Sequence, residues 1–263
     1  MTRHWLEPLA RAGYAAKGVL YLLIGGLAAE VALEAGGATT NSRGAFRVVR
    51  DQPFGSALLG ILAVGLGGYA IWRLAAALAD ADCKGRDARG LAVRAGYAAS
   101  GLVHAALTLA AFRLSLGIDE KKRDAIRHWT QQFLGAPFGR WLVAAAGAVV
   151  IGYGVRQLYR AYTGKIDRQL DFSGVSSDAR HWMTQLGRFG IFGRGIVFGL
   201  VGVLLIRAGR SADARKAGGI GDALRSLLTQ WHSRVALGVV ALGLAAYGLY
   251  QLVRARYRTI RPC

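Results

Sequence analysis

The chain has 263 residues, 53% of them hydrophobic, with 37 glycines, 4 prolines and a mean hydropathy of +0.30. Its apolar residues gather in blocks with no polar face, as in ALLGILAVGLGGYAIWRLAAAL, which excludes an ordinary water-soluble helical protein. The 34 Lys and Arg against 15 Asp and Glu give a formal charge of +19, but these cations stand at the ends of the apolar blocks and no DNA- or RNA-reading motif accompanies them. Anionic headgroups, not nucleic acid, are therefore their expected partners.

The N-terminal stretch MTRHWLEPLARAGYAAKG lacks the short apolar core and A-x-A site of a cleaved signal peptide, so the first apolar block is expected to remain as a span. Six blocks, 13–33, 54–78, 95–116, 141–161, 190–207 and 235–254, approach the roughly 20 residues that a helix needs to cross about 30 Å of hydrocarbon. Between them the sequence repeats itself. RAGYAAKGVLY at 11–21 returns as RAGYAASGLVH at 94–104 and as RFGIFGRGIVF at 188–198. Short segments follow each: GAFR at 44–47, DAIR at 124–127 and DALR at 222–225. PFG at 53–55 returns at 137–139, and the even blocks carry GGYAIWR, IGYGVRQ and AAYGLYQ.

The order and spacing predict an all-α polytopic membrane protein in a single membrane domain: six transmembrane helices as three tandem helical hairpins, about 11–80, 94–163 and 188–257. Each hairpin crosses and returns, so the repeats are parallel and related by a pseudo-threefold axis along the membrane normal. Lys and Arg are in excess on the side of the termini and of the linkers near 80–94 and 161–194, which predicts both termini in the cytoplasm. The segments 43–51, 119–133 and 213–230 are expected to contain short helices along the membrane surface. In the second, Ala125, Ile126, Trp129 and Phe133 recur at helical spacing beside a basic face of Lys121, Lys122, Arg123 and Arg127.

Gly18, Gly101 and Gly195 are equivalent, and Gly25, Thr108 and Gly202 lie seven residues on, which reads as a face for close helix packing. Tyr69, Tyr153 and Tyr247 match in all three units and suit either the membrane interface or a ring of three hydroxyls around a shared cavity. Lys17 and Arg194 are equivalent, and Arg73 and Arg156 lie late in even helices. With the tyrosines they are the ligand-binding candidates, snorkelling to headgroups being the alternative. His104 reads as a hydrogen-bonded packing residue, and no metal site is expected. The repeat offsets of 83 and 94 make Glu30, Arg113 and Arg207 equivalent, which predicts either an electrostatic cluster of one carboxylate gripped by two guanidiniums or three independent boundary charges. Cys83, in a charged linker, and Cys263, the last residue, resemble neither a disulfide framework nor a metal site.

RAGYAAKGVLY, RAGYAASGLVH, LGRFGIFGRG and the thrice-used tyrosine resemble a bacterial membrane family, the domain of unknown function numbered 1206, in which a two-helix unit occurs three times. The resemblance spans roughly 11–255, and it departs in the third unit, where Ile191 replaces the tyrosine and WHS replaces PFG. It implies the architecture and a bacterial inner (plasma) membrane location, and it carries no activity to transfer. The spans hold no paired nucleophile and base, so neither enzyme chemistry nor a cofactor is expected. The residues point to a membrane protein that binds or conducts a small anionic or lipidic ligand, with membrane lipids as partners. The alternative is a structural or partner-binding protein acting as a homo-oligomer.

Overall fold

The computed structural model describes residues 6–34, 39, 41–118, 125–164, 170–229 and 233–259. Six long helices are apolar enough to cross a membrane: α1 (Leu6–Ala32), α3 (Gly55–Leu78), α4 (Ala88–Ser115), α6 (Gly139–Thr163), α7 (Ser177–Ser211) and α9 (Arg234–Tyr257). Between the members of each hairpin lies a short helix: α2 (Ser42–Arg50), α5 (Ala125–Leu134) or α8 (Ile220–Thr229), the last preceded by a 3₁₀ turn at Ala214–Lys216. Three short helices thus occur where the amphipathic segments predicted them, although 119–124 of the second lies outside the described residues. Among the described residues there is no strand, only an isolated bridge between Leu170 and Arg258. Cys83, read from sequence as free of any disulfide framework, is disulfide-bonded.

The repeated motifs have local causes. At each PFG the phenylalanine takes a left-handed conformation (φ 60° at Phe54, 59° at Phe138) and turns the chain sharply from the short helix into the next span. The glycine that follows lies against the last carbonyls of that short helix, where a Cβ at Gly55 would strike Val49 and Arg50 and one at Gly139 would strike Phe133. Elsewhere polar caps start the helices: Asn41 accepts from the amides of Arg43 and Gly44, Asp87 from Gly90, Ser176 from Ala179 and Ser233 from Ala236.

The arginine that leads each odd span reaches across to the preceding unit. Arg94 donates to the carbonyls of Ala77 (2.8 Å) and Leu78 (3.0 Å) at the end of α3, and Arg188 to those of Ala161 (2.9 Å) and Tyr162 (3.2 Å) at the end of α6. Arg11 donates to the carbonyl of Arg256 at 3.0 Å, at the end of α9. A cation there satisfies orphan carbonyls and opposes the negative end of the helix dipole. The most extensive packing follows the same rule: α3 with α4, α6 with α7, and α9 with α1. A Cβ at Gly18 would stand 2.9 Å from the Gly248 carbonyl, one at Gly101 2.8 Å from the Leu74 side chain and one at Gly195 2.9 Å from the Leu158 side chain, so this glycine face joins consecutive units. The pseudo-threefold repeat is closed into a ring by α9 returning to α1.

Candidate functional site

Tyr14, Lys17 and Tyr21 follow one another at intervals of three and four, so α1 presents all three on one face. They meet Tyr69 and Trp72 of α3, Arg194 of α7, and Tyr247 and Arg254 of α9, and through Tyr69 and Arg194 the cluster extends to Arg73 of α3, Tyr153 of α6 and Phe198 of α7. Lys17 Nζ, 4% exposed, donates to the Tyr69 hydroxyl at 3.1 Å, and Arg73 Nε donates to the same oxygen at 2.9 Å. A phenol oxygen has two lone pairs and can accept both. Arg194 donates to the hydroxyls of Tyr21 (3.3 Å) and Tyr153 (3.1 Å), and its guanidinium lies 4.7 Å from the Phe198 ring and 4.9 Å from that of Tyr247. Tyr247 also faces Lys17, whose ammonium is 5.8 Å from its ring, so one tyrosine links the two equivalent cations. The His104 ring is 4.5 Å from Tyr69, and its Nδ1–H donates to the Ser100 carbonyl at 2.7 Å, leaving Nε2 as the acceptor.

The interior is rich in donors and poor in acceptors. Arg254 donates to the Tyr14 hydroxyl at 3.0 Å and to Gln251 Oε1 at 3.3 Å. Among the described residues neither Lys17 nor Arg73, Arg194 or Arg254 forms an ion pair with a carboxylate. Asp82, after α3, is taken by Arg258 at 3.0 Å, with side chains 9% and 2% exposed. That guanidinium lies over the rings of Trp72 (4.5 Å) and Tyr14 (5.1 Å). The buried polar side-chain atoms without a partner among the described residues are Trp72 Nε1, Gln251 Nε2, and Nε and Nη1 of Arg258. Every one is an N–H donor. Positive charge in an apolar medium is costly unless compensated, so this interior favours an anion or an acceptor.

Access to it breaks the threefold symmetry. In the first hairpin Gly13 packs against Tyr69, where a Cβ would stand 2.5 Å from that residue's own Cβ, and Gly65 packs against Ala16. In the third, Gly190 packs against the backbone of Tyr247 and Gly193 against Gly243. In the second, the equivalent Gly96 meets nothing within 4 Å, nor does Gly152 across from it, and α4 and α6 do not pack on each other. Gly96, Ala99 and Val103 on one wall, with Ala146, Val149 and Tyr153 on the other, are exposed, although their counterparts in hairpins one and three are buried. Tyr153 is 37% exposed, against 0% for Tyr69 and 3% for Tyr247. A groove of small apolar residues therefore runs between α4 and α6 and ends at Tyr153 and Arg194.

Of the residues singled out from sequence, Lys17, Arg73, Arg194, Tyr69, Tyr153 and Tyr247 come together at this site. Arg156 does not. Its position corresponds to Trp72 and Tyr250, which are buried, but Arg156 is exposed, because it follows Tyr153 by three residues on the face of α6 that α4 leaves uncovered. The electrostatic cluster of Glu30, Arg113 and Arg207 is not formed. Arg113 and Arg207 line two separate pockets, Glu30 lines neither, and Glu30 makes no ion pair with either arginine. Equivalent depth on a threefold ring leaves three sites apart around the circumference. Tyr14, Tyr21, Trp72, Gln251 and Arg254 escaped the sequence reading. The three-and-four spacing of Tyr14, Lys17 and Tyr21 was the available signal for two of them.

The family model described as Domain of Unknown Function (DUF1206) matches the chain three times, at 12–80, 95–164 and 189–258. An uncharacterized protein of Bacillus subtilis (strain 168), YxxB, is 32% identical over 257 residues, covering 98% of this chain and 93% of its own. No solved structure matches.

Proposed function

The chain belongs to this family, and from that premise we propose that it is a non-enzymatic membrane protein binding an acidic amphiphile: the apolar tail lies between α4 and α6, and the acidic head meets Arg194 and Tyr153. The observation that carries the reading is the conjunction of a cation cluster that makes no ion pair with a carboxylate among the described residues with the one hairpin whose seam is open. Arginine is suited to a carboxylate or phosphate, since its fork can make two charge-assisted hydrogen bonds. Lys17, one ring of Tyr247 away, adds charge without needing direct contact. The same reading places the protein in the bacterial inner (plasma) membrane with both termini in the cytoplasm, on the Lys and Arg excess at that end.

The test is a titration of the purified full chain with a fluorescent long-chain carboxylate and with the corresponding uncharged alcohol. Arg194→Gln is expected to weaken carboxylate binding about tenfold, the loss of one charge-assisted contact, and to leave the alcohol unchanged. Gly96→Trp, which fills the groove, is expected to weaken both. Unaltered affinities in both variants would refute the reading. A second reading, a homo-oligomer joined through the open seam, draws on the same exposed Gly96 and Gly152, since small residues allow close helix contact in lipid. It predicts that Gly96→Trp converts an oligomer to a monomer in native mass spectrometry.

A further inference from the structure

The opposite end of the bundle carries a different set of cations. A cavity of about 610 Å³ between α5, the 3₁₀ turn and the end of α7 is lined by Arg127, Arg207, Arg210, Arg215, Lys216 and Asp222 among others. Five of these are cationic and one is a carboxylate. Asp222 is already engaged: Arg127 Nη2 donates to one of its oxygens at 3.1 Å, and the Gly219 amide to the other at 3.0 Å. Arg127 Nε is fixed by the Ala217 carbonyl at 3.2 Å, and Arg215 is held by Asp213 at 3.0 Å.

The construction recurs one repeat earlier. A smaller pocket of about 150 Å³ between α2 and α4 is lined by Arg43, Arg47 and Arg113. Arg47 and Arg127 end the equivalent segments GAFR and DAIR, and Arg113 and Arg207 are equivalent positions of α4 and α7. In the first unit that position, on α1, is Glu30, so its sign is reversed. Beside the larger cavity, α5 buries Thr130 and turns Ile126, Trp129 and Phe133 outward. Aromatic and aliphatic side chains in that disposition suit the headgroup level of a bilayer.

We propose that the cavity lined by Arg207 and Arg210 binds a phosphate-bearing anion, either the headgroup of an anionic phospholipid or a soluble phosphate. Guanidinium forks match phosphate oxygens, and basic pockets between spanning helices suit anionic headgroups. This site is independent of the central one. Arg194 and Arg207 are separated by 13 residues of α7, about 20 Å along the helix.

The experiment is native mass spectrometry of the full chain in detergent, titrated with phosphatidylglycerol or phosphatidylcholine, with and without excess inorganic phosphate. The wild type is expected to hold one more phosphatidylglycerol at saturation than Arg207→Ala/Arg210→Ala, and Arg86→Ala/Arg89→Ala, which removes two exposed arginines outside both sites, to hold as many as the wild type. Displacement of that lipid by inorganic phosphate, or phosphate retained by itself, identifies a soluble source; persistence identifies the headgroup. Equal phosphatidylglycerol counts in wild type and the alanine variant, with no phosphate bound, would overturn the proposal, as would phosphatidylcholine held equally well. Arg207→Lys/Arg210→Lys keeps the charges and is expected to retain the lipid. Loss there too would assign the effect to disturbed folding and also overturn the proposal.

Discussion

Hairpins one and three are closed along their own seam, and hairpin two is open along the equivalent seam. The difference is not in the small residues: Gly96 stands where Gly13 and Gly190 stand, and only the latter two touch their partner helix. It extends to the short helices. Ala45 and Phe46 of α2, and Ala223, Leu224 and Leu227 of α8, are in the main core, whereas α5 exposes Ile126, Trp129 and Phe133. Contacts between consecutive units, by contrast, are alike all round the ring, with Arg11, Arg94 and Arg188 making the same bond. The bundle is thus held by inter-unit seams, and one intra-unit seam is left for other use.

The largest effect is expected on the closed side. Asp82→Ala leaves Arg258 buried without its counter-charge and should lower stability by about 3–5 kcal/mol, read as unfolding in detergent; a loss below 1 kcal/mol would show that this pair does not hold the third unit to the first. Next is a contrast between tyrosines. Tyr69→Phe takes the acceptor from both Lys17 and Arg73 and should cost about 2–3 kcal/mol, whereas Tyr153→Phe, beside the groove, should cost less than about 1 kcal/mol. Similar losses in both would erase the distinction between closed and open seams.

Glycine to alanine should change sign between the hairpins. At Gly13 a Cβ would lie 2.6 Å from the Tyr69 Cα, so Gly13→Ala should destabilise by about 1–3 kcal/mol. Gly96→Ala meets open space and should stabilise by up to about 1 kcal/mol through helix propensity. A smaller, uniform effect tests the shared seam: Arg94→Ala and Arg188→Ala should each cost about 1 kcal/mol and speed amide exchange at the ends of α3 and α6. The smallest concerns the linker after α3. The Asp80 carboxylate accepts from the amides of Lys84 and Gly85, which hold its pKa below the ordinary 3.8. Its contribution is complete above that value and lost as pH falls through the lowered one. Asp80→Asn should therefore flatten the stability profile, lowering stability slightly near neutrality and leaving it unchanged below the lowered value.

Much of the site was legible because threefold repetition marks equivalent positions. Tyr69, Tyr153 and Tyr247, and the pair Lys17 and Arg194, were found by alignment of the chain with itself. Arg156 was misread because its equivalents Trp72 and Tyr250 are buried by packing within their hairpins, and the second hairpin lacks that packing. The grouping of Glu30 with Arg113 and Arg207 failed for another reason: symmetry equates depth and not proximity. Gln251 and Trp72 carry no charge, and nothing local marks a buried N–H that lacks an acceptor.

Six spans, three tandem units and the short helices between spans follow from the sequence alone, because each rests on hydropathy or on chemistry within a few residues. The arginine of RAGY joining one unit to the end of the previous one, the gathering of cations around Tyr247 and the opening of the second hairpin were decided only in the tertiary structure. Glycine permits two helices to approach and supplies no force to bring them together. Whether a seam closes depends on how all six helices fit around the ring, a property of the assembled bundle that no single unit encodes.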